Sequence, residues 1–284
     1  MKNFVIRQME ESEMNFAVGQ AAKEGWNPGL EDARAFYETD PEGFFIALLD
    51  GRPVGCVSAV SYGSDFAFVG FYIVLAEFRG QGFGIQLGQT ALARLKTTRA
   101  IGLDGVLAQQ KNYERAGFRP AYGNTRYEYK MTAPLTVSQT TLTVPASAID
   151  RSKIGTYDRQ CFPAERKVFL EKWLAMKNTK AFGWVERGSL KGYGVIRKCD
   201  TGYKIGPLFA DNESIANELF LRLCSSVRPP EMVYLDIPEV NPAGLRLASS
   251  FGMRPVFTTT RMYLGPAPDI RLDKIFGITS FELG

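Results

Sequence analysis

The stretch Val74-Leu75-Ala76-Glu77-Phe78-Arg79-Gly80-Gln81-Gly82-Phe83-Gly84 follows the β-branched and aromatic run Phe68-Val69-Gly70-Phe71-Tyr72-Ile73-Val74 and precedes a helical pattern. The run before it reads as a buried strand. After Gly84, Ile85, Leu87, Ala91, Leu92 and Leu95 recur at spacings that suit one helix face. A glycine-rich turn entered by an arginine joins the two. Such a turn leaves backbone N–H groups without partners at a helix N-terminus, where the helix dipole also favours anions. The reading is a phosphate cradle with Arg79 beside it.

Two common phosphate loops do not fit. A P-loop closes on Gly-Lys-Ser/Thr, and no Lys-Ser or Lys-Thr follows these glycines. The pattern Gly-x-Gly-x-x-Gly also fails, because its third glycine falls on Leu87 or, counted from Gly80, on Ile85. What remains, Arg-x-x-Gly-x-Gly after a strand, resembles the acetyl-CoA pyrophosphate loop of the GNAT N-acetyltransferase superfamily. Arg79, Gly82 and Gly84 fill its three defining positions. The resemblance implies acetyl-CoA as cosubstrate, held along Arg79, Gly80, Gln81, Gly82, Phe83 and Gly84.

Composition bounds the rest. At 284 residues and 45% hydrophobic, the chain can bury a sizeable core, and its length suggests two domains. A net charge of +4 from scattered basic residues gives no nucleic-acid footprint. Met1-Lys2-Asn3-Phe4-Val5-Ile6-Arg7 lacks a signal-peptide apolar core, and no run approaches the roughly 20 apolar residues of a membrane span. Cys56, Cys161, Cys199 and Cys224 show neither paired nor metal-ligand spacing, so reduced thiols in the cytoplasm are expected. There is no histidine. Ser-His-Asp and Cys-His hydrolases and His-ligated metal sites are thereby excluded.

The chain also repeats itself. Gly117-Phe118-Arg119-Pro120 and Thr125-Arg126-Tyr127 recur as Gly252-Met253-Arg254-Pro255 and Thr260-Arg261-Met262, at numbers 135 higher (252 against 117, 260 against 125). Leu103-Asp104 and Leu235-Asp236 end two apolar strands. Phe45 to Gly55, with its Asp50-Gly51 turn, is matched in shape by Trp184 to Val195. A period this long marks a duplicated domain, since solenoid units run about 20–50 residues. Polar, threonine-rich Thr132 to Thr141 reads as the linker between domains 1–133 and 140–284. Each half is expected to follow strand, two helices, hairpin, long strand and turn, helix, strand, helix and closing strands. The first-half helices are expected near 10–24 and 30–39, and the second-half ones near 147–160 and 163–177. The expected fold class is therefore mixed α/β: two tandem GNAT folds, each a mostly antiparallel twisted sheet flanked by helices.

The superfamily resemblance carries roles with it. Ile73, Val74 and Leu75 occupy the splayed central strand whose backbone N–H groups can polarise a thioester carbonyl. Tyr113 stands four residues before Gly117-Phe118, where the family places a tyrosine that protonates the departing thiolate. The alternative for Tyr113 is a core aromatic on an amphipathic helix. The family's pantetheine-binding asparagine is missing, since that position is Val106. Asn112, beside Tyr113, is the substitute candidate, with a solvated helix asparagine as the other reading. The second half inverts this pattern. Asn241 fills the asparagine position, Ala248 replaces the tyrosine, and Asp211 and Glu213 replace the basic, glycine-rich loop. The closing segment Phe276 to Gly284, with Gly206 to Asp211 and Leu235 to Asn241, resembles the YitH-type C-terminal acetyltransferase domain. One cofactor site, in the first half, is expected.

For the acceptor, Glu24-Gly25-Trp26-Asn27-Pro28-Gly29 lies between the first two helices, where the superfamily shapes its acceptor pocket. Trp26 is a candidate wall, or a core residue above a simple turn. Glu24 is a candidate for holding an ammonium. No carboxylate occurs in residues 69–75, so Tyr72, Glu24 or a water chain remain as candidate bases, and Glu77 reads as a solvated charge. The expected function is acetyl transfer from acetyl-CoA to the primary amine of a small molecule, without metal, nucleic-acid or membrane partners, by a monomeric pseudo-dimer or a homodimer. A non-catalytic acyl-CoA sensor and a protein lysine or N-terminal acetyltransferase are the alternatives.

Overall fold

A computed structural model describes residues 3–138 and 140–284; Met1, Lys2 and Gln139, the last within the expected linker, lie outside the described residues. The first half runs β1 (Phe4–Gln8), α1 (Met14–Lys23), α2 (Asp32–Thr39), β2 (Phe44–Leu49), β3 (Arg52–Ser61), β4 (Phe66–Val74), α3 (Phe83–Arg94), β5 (Ala100–Val106), α4 (Gln110–Arg115) and β6 (Arg119–Met131). The second half repeats this order as β7 (Thr143–Pro145), α5 (Arg151–Cys161), α6 (Lys167–Trp173), β8 (Thr179–Glu186), β9 (Ser189–Lys198) and β10 (Tyr203–Ala210), then α7 (Glu213–Cys224), β11 (Glu231–Pro238), α8 (Pro242–Ser250) and β12 (Arg254–Leu264). A short β13 (Ile275–Gly277) follows. The repeated hairpins turn alike. Asp50-Gly51 and Arg187-Gly188 both take positive φ at both positions, as a primed two-residue turn requires.

The thirteen strands of the described residues form one sheet in the order β1-β2-β3-β4-β5-β12-β6-β11-β10-β9-β8-β7, with β13 added against β10. Among the described residues only β4–β5 and β10–β11 pair in parallel. The halves exchange their closing strands: β6 pairs with β11 of the second half, and β12 pairs with β5 of the first. The repeated residues explain the exchange. Arg126 lies opposite Asp236 in the β6–β11 register, and Arg261 lies opposite Asp104 in the β12–β5 register. Both are buried two-point pairs, with Arg126 Nε and Nη2 at 2.7 and 2.8 Å and Arg261 Nε and Nη2 at 2.9 and 2.7 Å from the carboxylates. A one-residue slip of either strand would leave a buried charge without its partner.

The two halves also share a core. Phe36 of α2 stacks on Trp173 of α6 at 5.7 Å, within one cluster that includes Phe71, Ile73, Tyr193 and Phe281. The opposite face is covered by α3 and α7. Leu87, Ala91 and Leu95 of the α3 pattern are buried there, whereas Ile85, expected on the same face, is 67% exposed. Its place in the first turn, beside the open glycine loop, removes it from the sheet. All four cysteines are free and buried.

Candidate active site

The site begins at a break in β4. Phe71 takes φ 45° in the middle of the strand, and the β3 register slips between Cys56 and Ser58 opposite it. Parallel pairing of β4 with β5 ends at Val69–Leu103, so Gly70 to Val74 diverges from Asp104 to Val106. Within the divergent stretch the backbone alternates. The Leu75 N–H donates to Val54 O on β3 (2.9 Å), which turns Val74 the other way, into the gap. The Val74 carbonyl accordingly accepts from Arg79 Nε at 2.8 Å. Of the three expected polarising donors, Val74 is the one whose N–H faces the opening; Ile73 and Leu75 point toward β3.

The glycine turn then delivers the N-terminus of α3. Gly80 and Gly82 have φ of 75° and 86°, and a Cβ at either would meet only open space. No side chain caps this helix, and its first internal bond runs from Gln86 N–H to Gly82 O (3.3 Å). The N–H groups of Gly82 to Ile85 therefore precede the first intrahelical donor, at a surface position suited to a pyrophosphate. Phe83 contributes its backbone, because its ring stacks on Phe4 at 4.6 Å. The Gln81 amide is turned back onto Glu77 O at 3.1 Å.

Tyr113 faces the same gap. Its ring lies against Gly105, where an added Cβ would sit 2.8 Å from two ring carbons, and 6.2 Å from the Tyr72 ring centre. Burial pushes its hydroxyl well above the usual range, so it holds its proton at neutral pH, and among the described residues it donates to no protein group. Tyr72 is differently employed. It donates to Gly84 O at 2.5 Å, tying β4 to the first turn of α3, and burial raises its pKa too. That makes it a poor base.

Asn112 and Glu24 are also occupied. Asn112 is exposed, giving its amide to Gln109 Oε1 (2.6 Å) and accepting from Arg115 (3.1 Å). One residue away on the helix, it points some 100° from Tyr113. Glu24 pairs with Arg79 at 2.5 Å, so the acceptor loop and the phosphate loop are joined by one ion pair. The Trp26 ring packs on the shared core, and its carbonyl, rather than its ring, does the polar work. It accepts from Arg126 Nη1 (2.7 Å) and Lys204 Nζ (3.0 Å).

Two family models match in tandem: the acetyltransferase (GNAT) family over residues 7–118 and an acetyltransferase (GNAT) domain over 154–277. A holothin acyltransferase of Pseudoalteromonas sp. (strain SANK 73390) is 31% identical over 268 residues, 93% of this chain and 89% of that protein. The chain belongs to the GNAT acetyltransferase family. YitH of Bacillus subtilis (strain 168), an uncharacterised N-acetyltransferase, is 22% identical over 67% of each chain. A solved structure of a candidate acetyltransferase from Pyrococcus horikoshii shares the fold, with a TM-score of 0.83, 22% identity and coverage of 99% of this chain and 96% of that one. The protein is thus a tandem GNAT and an acyl-CoA-dependent acyltransferase.

The second GNAT half is built on the same plan and closed. Parallel pairing of β10 with β11 ends at Ile205–Leu235, as in the first half, but β13 enters the resulting gap. It pairs with Leu208 and Phe209 on one side, while Ile278 N–H donates to Asp236 O on the other (2.9 Å). Asn241 is consumed by this closure. Its Oδ1 caps α8 through Ala243 and Gly244 N–H, and its Nδ2 donates to Asp273 O and Ile275 O. The α7 N-terminus is capped by Asn212, which accepts from Ile215 N–H at 3.0 Å. Asp211 is held by Tyr157 and Lys274. The donors that stand open at α3 are closed or countered here.

A third group of residues carried no motif. Under the Trp26 carbonyl lie buried Asp32, Arg126, Arg197, Lys204, Asp236 and Glu282. Arg197 Nε bonds both Asp32 oxygens (2.9 and 3.2 Å) and its guanidinium stacks on Trp173 at 4.4 Å, yet both Nη atoms lack partners among the described residues. Among the described residues both Glu282 carboxylate oxygens lack partners as well. Burial raises the Glu282 pKa, with Asp32 adding to the rise against Lys204, Arg197 and Arg126. The available signal was a glutamate between Phe281 and Leu283 in the otherwise uncharged closing segment Phe276 to Gly284.

Proposed function

We propose that the protein transfers an acetyl group from acetyl-CoA to the primary amine of a small molecule, such as an amino acid or polyamine, at a single site in its first half. The observation that carries this reading is the pairing of an open, arginine-flanked α3 N-terminus with a divergent β4, while the equivalent gap in the second half is filled by β13. Arg79 and the N–H groups of Gly82 to Ile85 would hold the diphosphate of the cofactor, which supplies an activated acyl thioester. The Val74 N–H is the donor available to a carbonyl oxygen in the gap, in the manner of an oxyanion hole. Tyr113, neutral and without a protein acceptor, is placed to give its proton to a thiolate.

The relative named as a holothin acyltransferase supports a small-molecule acceptor. So does the acceptor loop, which is tied down on the second half: Asn27 Nδ2 to Thr201 O (2.8 Å), Thr201 N–H to Asn27 Oδ1 (3.0 Å) and Leu30 N–H to Lys198 O (3.0 Å). A protein acceptor would need an open cleft there. A cytoplasmic location accords with four unpaired cysteines, and among the described residues no helix is long and apolar enough to cross a membrane. The test is thiol release from acetyl-CoA over a panel of small amines and lysine peptides. Turnover with a small amine that depends on Tyr113 is expected. Turnover confined to peptides would overturn the assignment of acceptor class.

A further inference from the structure

We propose that the buried charge centre beneath the Trp26 loop is the acceptor subsite and takes a small zwitterion, with Glu282 receiving its ammonium and the free Nη groups of Arg197 receiving its carboxylate. This rests on the acetyl-transfer reading of the first-half site and narrows its acceptor to one class.

Position comes first. The Glu282 backbone abuts Gly70 so closely that a Cβ on that glycine would collide with the Glu282 carbonyl. Gly70 is the residue before Phe71, where β4 breaks and leaves β5. The closing segment therefore brings the Glu282 backbone, from the far end of the chain, against the strand break at the base of the gap, with its carboxyl among Lys204, Asp32, Arg197 and Arg126. Gly206, the counterpart of Gly70 in the second half, is met in the same way by the Thr279 and Ile278 carbonyls, so one short segment spans both break points.

Chemistry comes second. Buried polar atoms in folded proteins nearly always have partners, and a carboxylate with neither oxygen bonded is a costly exception. Here two exceptions of opposite charge occur in one cluster, the Glu282 carboxylate and the Arg197 fork. The surrounding ions are already balanced: the cations Arg126, Arg197 and Lys204 against the carboxylates Asp32, Asp236 and Glu282. A simple monoamine or an anion would leave that centre with a net buried charge. A zwitterion adds none, and it partners both orphaned groups. Arg126 is held by Asp236 and the Trp26 carbonyl, and the Lys204 ammonium gives one of its three donors to that carbonyl, which leaves Arg197 as the cation of this centre with whole nitrogen atoms unpartnered among the described residues.

The test measures thermal stabilisation of the full chain by each proteinogenic L-amino acid, with and without acetyl-CoA, for wild type and E282Q. For any amino acid that stabilises, the amine lacking the carboxylate and the acid lacking the amine are then compared. The expected result is stabilisation of wild type by at least one amino acid, its loss in E282Q, and affinity at least about tenfold weaker for both truncated analogues. E282Q is isosteric, and its own melting temperature reports whether it folds. No stabilisation by any amino acid, or stabilisation that persists in E282Q, would overturn the subsite and leave Glu282 and Arg197 as buried groups bridged by water. Acetyl-CoA binding is read on the same samples. If wild type fails to bind it, the acetyl-transfer reading falls, and the amino-acid arm still decides the subsite separately.

Discussion

The roles proposed for Tyr113, Arg79, Gly82 and Glu282 can each be isolated by one substitution. Y113F removes a proton without changing the ring that packs on Gly105, so kcat should fall about 10²- to 10⁴-fold while KM for acetyl-CoA holds. An equal loss in kcat and binding would make Tyr113 a packing residue. G82A forces a Cβ into φ 86°, costing about 1–2 kcal/mol, and reshapes the turn that presents the α3 donors. Acetyl-CoA affinity should fall more than stability does, as paired titration and melting experiments would show. For Glu282 the sign follows from its raised pKa. The folded state binds that proton more tightly than the unfolded chain, so ionisation of Glu282 costs stability as pH rises from the acid range toward neutrality. E282Q should therefore melt higher than wild type, by a margin that is smallest in acid and widens toward neutral pH. A lower melting point at neutral pH would show that the carboxylate has structural partners. The glycine turn into α3 was legible in the sequence because Arg-x-x-Gly-x-Gly is a local code. The occupation of Glu24 by Arg79 was not, because it depends on where two distant loops meet.

The exchanged strands and the plug decide how the elements fit. The duplicated Leu-Asp and Thr-Arg pairs were visible at a fixed offset, but which aspartate meets which arginine is set by strand order in space. Sequence placed the closing strands within their own halves. The structure crosses them, because Arg126 finds Asp236 and Arg261 finds Asp104. Removing one partner, as in D104N or R261M, should cost about 3–5 kcal/mol by leaving the other charge buried alone, and chemical denaturation would measure it. Burial alone would raise the Asp236 pKa, but Arg126 outweighs it and holds the carboxyl below the usual carboxylate range. Its contribution is present above the unfolded aspartate pKa, near 3.9, and is lost as pH falls through the lower folded value. Acid unfolding should accordingly shift to higher pH in R126M. Asn241 fills the family's asparagine position in a half where no cofactor site was expected, and the structure spends it on α8 and β13. N241A should lower stability by about 1–2 kcal/mol without altering acetyl-CoA binding.

Across the whole molecule, the chain is a fused pair of GNAT halves, and in the reading proposed above the first catalyses while the second encloses. The order of elements and the mixed α/β class followed from hydrophobic periodicity and turn chemistry, which are local. The continuous sheet, the shared core around Phe36 and Trp173, and the Glu282 centre are long-range and left no periodic trace. Because β6 and β12 complete each other's halves, separately expressed 1–133 and 140–284 should each fail to fold, and mixing them should restore structure if the exchange is what holds them. The central claim is a single working cofactor site in the first half. Its most direct test is isothermal titration of wild type and R79A with acetyl-CoA. One equivalent bound per chain, weakened about tenfold or more in R79A, is the predicted result. Two equivalents, or one equivalent bound equally well by R79A, would contradict it.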